Sequence, residues 1–111
     1  MVVTESIRIE RTKHSRISQV DFANLPFGKI YTDHMFMADY RDGEWKNSRV
    51  VPYGHISISP ATPAIHYGQA IFEGMKAMKS PTGDVLVFRP ADNWMRLNVS
   101  GERICMRKAI S

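Results

Sequence analysis

The dipeptide Asp42-Gly43 is the feature that most constrains the fold of this chain. It separates an aromatic and methionine-rich segment, residues 31–40, from Trp45 and the run Arg49–Tyr53. Asp-Gly is favoured in two-residue hairpin turns, whose central residues need a positive φ. The pattern therefore predicts an antiparallel hairpin centred on this turn.

A second hairpin is predicted further along the chain. Two apolar stretches, Met75–Met78 and Val85–Phe88, are joined by the turn-forming residues 80–84. Between the two hairpins, Ile56 and Ile58 alternate with serines, which predicts another short extended segment.

Two helices are predicted in the C-terminal half. Ala64–Phe72 is predicted to form a short buried helix that ends near Gly74. The clearer helix begins at Pro90, because a proline at the first helical position loses no hydrogen bond. Arg107 and Lys108 suit the negative end of its dipole. A helical spacing predicts its buried stripe, which consists of Trp94, Leu97, Gly101, Ile104 and Cys105.

Hairpins with flanking helices make the predicted fold class α+β (α/β). Residues 1–26 are polar and only weakly periodic, and we expect them to form an N-terminal arm before a domain that spans residues 27–111. The arm contains the only dense basic run of the chain. We favour a solvated, flexible arm over a specific contact with a polyanion for this run, which consists of Arg8, Arg11, Lys13 and Arg16.

Composition narrows the functional classes. The chain is 43% hydrophobic and 23% charged, which is typical of a globular domain, and its net charge of +4 is mostly diffuse. One cysteine, Cys105, excludes an internal disulfide and a cysteine-rich metal cluster. No apolar stretch approaches the roughly 18 residues of a membrane span, and residues 1–6 lack the pattern of a secretory signal. We therefore expect a cytoplasmic protein that binds no metal, membrane or nucleic acid.

Three residues are candidates for binding from local pattern alone. Arg89 lies between a predicted strand and a helix N-terminus, where its guanidinium and the unpaired N–H groups of the helix can bind a phosphate. A surface salt bridge is an equally good interpretation of this arginine. Tyr67 and Phe72 could line an apolar pocket, although their spacing alone favours ordinary core aromatics.

Other polar residues are interpreted as structural. Asp33 and His34 are adjacent on a predicted strand, so they would point to opposite faces and would not form a catalytic pair. The polar residues of the last helix, including Asn93 and Arg96, are interpreted as its polar face or as caps for neighbouring loops.

Three motifs occur in a fixed order along the chain: Phe27-Gly28…Thr32-Asp33-His34-Met35, then His66-Tyr67-Gly68…Phe72-Glu73-Gly74, then Phe88-Arg89-Pro90…Asn93…Arg96. In this order they resemble the N-terminal part of branched-chain amino-acid aminotransferases, which belong to the fold-type IV group of pyridoxal-phosphate enzymes. The similarity covers about residues 27–106, and it implies the small domain of such an enzyme, or part of it.

The resemblance implies specific site residues. Arg89 matches the arginine that binds the phosphate of the cofactor, pyridoxal 5'-phosphate. Phe27, Tyr67 and Phe72 match aromatics that line the pocket for the branched side chain, and Lys76 lies near the site. One methylene contributes only about 1–3 kcal/mol of discrimination, so leucine, isoleucine and valine would share this pocket, with 2-oxoglutarate as the other substrate. Enzymes of this family are homodimers, so a partner chain is expected.

The resemblance also implies what these 111 residues lack. In the family, the lysine that binds the cofactor covalently lies in a second, larger domain, so we expect no catalytic residue here and no independent catalysis. Arg107 stands where the family usually has proline, and Gly101 where it often has alanine. The alternatives are a stand-alone, non-catalytic module for ligand binding or dimerisation, and two other fold-type IV activities. Residues 32–35 argue against those two, D-amino-acid aminotransferase and aminodeoxychorismate lyase.

Overall fold

A computed structural model describes residues 6–106 of the chain. The chain divides into two compact units, residues 1–56 and residues 57–111. The described part of the first unit contains a three-stranded sheet and one turn of 3-10 helix, and that of the second contains two helices and a two-stranded sheet. The fold is therefore mixed α+β, as predicted.

The first unit is built on the hairpin predicted around Asp42-Gly43. Its strands, β2 (His34–Arg41) and β3 (Glu44–Pro52), pair antiparallel. Asp42 and Gly43 have φ angles of 54° and 85°, the positive values that a tight turn between twisted strands needs. This prediction is confirmed.

A β-bulge interrupts the ladder between these strands. Met37 pairs with Arg49 whereas Asp39 pairs with Lys46, so β3 has one more residue than β2 between the two pairs. Asn47, inside the bulge, has a φ of 57°, and its amide donates to Asp39 Oδ2 at 3.0 Å. Arg49 donates to the same oxygen at 3.2 Å. Together these donors hold the pKa of Asp39 below its ordinary value.

Part of the predicted arm is held by this hairpin. β1 (Arg8–Ile9) pairs parallel with β3, so the sheet order is β1-β3-β2. The backbone N–H of Thr12 donates to His34 Nε2 at 2.9 Å. Asp33 accepts from the backbone N–H of Arg16 at 3.1 Å and lies 3.4 Å from Arg16 Nε. Hydrogen bonds of high sequence separation therefore connect residues 8–16 to the hairpin, although all of them except Thr12 are exposed. The flexibility of the arm stays a prediction.

The second unit contains the second predicted hairpin and the predicted long helix. β4 (Ala77–Lys79) pairs antiparallel with β5 (Val85–Val87), and α2 spans Pro90–Arg103. Ser80 closes the hairpin turn by donating its backbone N–H to the Asp84 carbonyl at 2.8 Å. Both predictions are confirmed. Arg107 and Lys108, which were expected to favour the C-terminal end of the helix, lie outside the described residues.

The buried helix predicted over Ala64–Phe72 is wrong in both length and burial. α1 comprises only Pro63–His66, and none of its residues is buried. Gly68 adopts a left-handed φ of 62°, the conformation that ends a helix, and it does so before Gly74 is reached. A single helical turn has no intrinsic stability of its own, so it is fixed by its contacts. No strand forms over residues 56–59, where a short extended segment was predicted.

Residues 6–106 bury no hydrophobic side chain. Within the predicted stripe of α2, Gly101 is buried and Leu97 and Ile104 are half-buried. Trp94 and Cys105 are exposed, which contradicts the prediction. Cys105 leaves the stripe because the helix has already ended at Arg103 and its own φ is 59°.

Candidate functional site

Arg89, the predicted phosphate ligand, lies two residues after the end of β5 and directly before α2. It is the N-cap residue of α2, and Pro90 follows as the first helical residue. Its backbone is left-handed, with φ 45° and ψ 54°, which costs a residue with a side chain about 1–2 kcal/mol. Strained backbone of this kind is concentrated at binding and catalytic sites. The side chain is 69% exposed and pairs with Asp92 at 2.5 Å.

A depression of about 240 Å³ opens at this end of α2. Two arginines, Arg89 and Arg96, line it together with Phe88, Asp92 and Asn93. Both arginines are mostly exposed, at 69% and 68%. A guanidinium group can donate two parallel hydrogen bonds to the oxygens of one phosphate. The depression therefore suits an anionic group that lies at the start of the helix.

Arg96 is held by Glu73, a residue 23 positions earlier in the chain. Arg96 Nε donates to Glu73 Oε2 at 2.6 Å, and its terminal nitrogen donates to Glu73 Oε1. Asn93 donates to Glu73 Oε1 at 3.0 Å and to the Gly74 carbonyl at 2.9 Å. The Glu73 side chain is only 7% exposed. The hydrogen bonds from Arg96 and then Asn93 lower the pKa of Glu73 to about 2, so the carboxylate is ionised at neutral pH.

An apolar depression of about 480 Å³ shares residues with the cationic one. Phe88 and Asn93 line both, so the two depressions adjoin. Lys76 lines the apolar depression. Its remaining lining consists of Gly74, Met75, Met78, Leu86 and Val87.

The three predicted aromatics lie elsewhere. Tyr67 and Phe72 follow α1 and are 88% and 92% exposed, and neither lines the two depressions described above. Phe27 belongs to the first unit and is fully exposed in the segment between the 3-10 helix (Ile17–Gln19) and β2. The structure therefore brings Lys76 and Arg89 to adjoining depressions and leaves the aromatic rings uncovered.

Sequence reasoning missed the role of Glu73 and interpreted Asn93 and Arg96 as structural. The spacing offered a partial indication, since residues 93 and 96 are three apart and share one face of a helix. Nothing local indicated their acceptor, because Glu73 lies on a segment without regular secondary structure.

No model of a protein family matches the chain. Named relatives do match it across most of its length. Branched-chain-amino-acid aminotransferase 2 of Bacillus subtilis is 44% identical over 103 residues, which are 92% of this chain and 28% of that protein. The predicted resemblance is confirmed. Branched-chain-amino-acid transaminase 1 of the same organism is 46% identical over 87 residues, 78% of this chain and 24% of that protein.

A relative from another organism gives the same result. The branched-chain-amino-acid aminotransferase of Helicobacter pylori is 42% identical over 92 residues, which are 83% of this chain and 27% of that protein. The chain thus spans about a quarter of the length of the aminotransferases that it matches. None of the helices described between residues 6 and 106 has the length and apolar character of a membrane span.

Proposed function

We propose that this chain is part of a branched-chain amino-acid aminotransferase of fold-type IV. The activity is the exchange of an amino group between leucine, isoleucine or valine and 2-oxoglutarate. The names of the relatives support the reaction class. The observation that carries the role of this chain is the pair of arginines that line one open depression at the start of α2.

The residues of this depression fit the phosphate of pyridoxal 5'-phosphate. Arg89 and Arg96 would bind the phosphate oxygens, and the start of α2 adds the positive end of a helix dipole. When bound, the cofactor supplies the electron sink that makes the α-hydrogen of an amino acid acidic. The contribution of Arg89 and Arg96 is to fix the position of the cofactor by its phosphate.

The apolar depression suits the substrate side chain. It adjoins the cationic depression, and its walls are mostly aliphatic. Each buried CH₂ contributes about 0.8 kcal/mol, which is too little to separate leucine, isoleucine and valine strongly. Lys76 already lines this depression. The family resemblance implies that Phe27, Tyr67 and Phe72 also contact the substrate side chain in the full, homodimeric enzyme.

Cofactor binding by the 111-residue chain tests the phosphate site. Pyridoxal 5'-phosphate should bind more tightly than pyridoxal, which lacks the phosphate, when either is titrated and followed by absorbance. Arg89→Ala and Arg96→Ala should each remove most of this preference. Arg103→Ala is the matched control, because it removes a positive charge from the same helix without touching the depression.

Three outcomes would contradict the proposal. Equal binding of the two ligands by the unmodified chain would mean that the depression does not bind phosphate, and it would favour the stand-alone module. Borohydride reduction that fixes the cofactor on one lysine would place the covalent chemistry within these 111 residues. Transamination of D-alanine by an enzyme containing this chain, with no activity on leucine, would favour the D-amino-acid alternative.

A further inference from the structure

Glu73 is the most enclosed carboxylate for which the described residues show an ion pair. Its side chain is 7% exposed, whereas the other paired carboxylates are 17% to 84% exposed. Both of its oxygens accept hydrogen bonds, from Arg96, from Asn93 and from the Gly74 backbone N–H at 3.0 Å. A largely buried carboxylate whose two oxygens both accept hydrogen bonds is held in one position, so it can orient the side chains that donate to it.

The group fixed most completely is the Arg96 guanidinium. An arginine has five N–H donors in a planar fork. Glu73 takes the Nε–H and one terminal N–H, which settles the plane and the rotation of the group. The side chain is nevertheless 68% exposed and lines the cationic depression, so its remaining donors stay accessible to an anion.

Arg89 provides an internal contrast. Its partner, Asp92, lies three residues further along in the first turn of α2 and is itself 43% exposed. An exposed pair of this kind exchanges readily with water and contributes little to fixing either side chain. The two arginines of one depression thus differ in preorganisation, and the difference is due to Glu73.

We propose that Glu73 is a positioning residue that orients the Arg96 guanidinium for a phosphate group in the depression shared with Arg89. The inference rests on the proposed function, since it requires a phosphate at this place. Asn93 assists by donating to both Glu73 and the Gly74 carbonyl, which holds the acceptor segment against α2. Without Glu73, the Arg96 side chain would be ordered only when the phosphate binds. The entropy lost in ordering it would then reduce the affinity for phosphate.

The test compares Glu73→Gln with Asp92→Asn in the full chain, with inorganic phosphate at pH 7 as the probe. Each substitution removes one negative charge from the carboxylate that pairs with an arginine of the depression: Glu73 pairs with Arg96, and Asp92 pairs with Arg89. Asp92→Asn should bind phosphate more tightly, because a like charge is gone. Glu73→Gln should bind it about three- to tenfold more weakly, the loss expected when a long side chain must be ordered on binding.

A spectroscopic measurement reports the orientation directly. In 15N-edited spectra, the Nε–H of Arg96 should be protected from exchange in the unmodified chain and in Asp92→Asn, but not in Glu73→Gln. Arg96→Lys assigns this signal by removing it. It also keeps the charge but lacks the fork, so its phosphate affinity should fall as far as that of Glu73→Gln.

The outcomes separate the inference from the proposed function. Tighter binding in both charge-removing variants would mean that only charge matters, and it would refute the positioning role while the phosphate site stands. Unchanged affinity in a folded Arg96→Lys variant would refute it as well. Absence of saturable phosphate binding in the unmodified chain would overturn the phosphate site and the positioning role together.

Discussion

Gly43 sets the conformation of the first hairpin turn, and the structure gives the cost of replacing it. Its φ is 85°, and a methyl group built on it meets no atom within 4 Å. The penalty of Gly43→Ala is therefore conformational rather than steric, and it amounts to about 1–2 kcal/mol. With a urea m-value of about 1 kcal/mol/M for a small unit, the unfolding midpoint should fall by roughly 1–2 M.

Gly54 supplies the matched control within the same unit. A methyl group on Gly54 also meets nothing within 4 Å, but the φ of this residue lies outside the left-handed region. Gly54→Ala should therefore stabilise the unit by about 0.4–1 kcal/mol, because it restricts only the unfolded chain. The same chemical change is expected to have opposite signs at the two positions.

Fluorescence of Trp45 reports the transition. Its ring lies 5.2 Å from that of Tyr40 in an edge-to-face contact across the hairpin, two residues beyond Gly43. Because the chain has two tryptophans, Trp94→Phe serves as the common background. Destabilisation by Gly54→Ala as large as that by Gly43→Ala would refute the argument, since it would show that the added methyl matters and the backbone conformation does not.

Three further predictions follow from contacts in the two units. The carboxyl of Glu73 should titrate near pH 2 by 13C NMR, and Arg96→Gln should raise its pKa toward the ordinary value of 4.5. Because the pKa of Glu73 is lower in the folded state than in the unfolded state, its ionised carboxylate stabilises the fold fully above pH 4.5. This contribution is lost as the pH falls through 2. Cys105→Gly should raise the thermal unfolding midpoint by relieving a φ of 59°, a gain of about 1 kcal/mol, and an unchanged midpoint would contradict this. Asp33→Ala should accelerate hydrogen exchange of the Arg16 amide several-fold, with the β2–β3 amides as the internal reference.

The elements that the sequence predicted correctly are those determined by neighbouring residues. Asp42-Gly43 specifies its own turn, residues 80–84 specify another, and Pro90 marks the start of α2. Each of these is a local choice of backbone angles, which a few residues determine. Arg89 as a phosphate ligand was predicted both from its position before a helix N-terminus and from the family resemblance, and it stays a prediction.

What the sequence did not predict depends on contacts between distant segments. The pairing of Glu73 with Arg96 spans 23 residues, and the bond from Thr12 to His34 spans 22. Neither leaves a periodic pattern. Ala64–Phe72 is apolar enough to predict a buried helix, but burial needs a covering surface, and the described residues provide none. The same reason explains the exposure of Trp94.

The bulge in the β2–β3 hairpin has a consequence for comparing sequences. Its extra residue reverses the alternation of faces along β3, so Lys46 and Arg49 occupy equivalent sides although one number is even and the other odd. A homologue that lacked one residue near Asn47 would keep the Asp42-Gly43 turn and lose the bulge, and its residues at the positions of Lys46 and Arg49 would keep the same partners on β2. A gap of one position in an alignment of this strand therefore leaves the side chains of its two surfaces unchanged, because the bulge absorbs the extra residue.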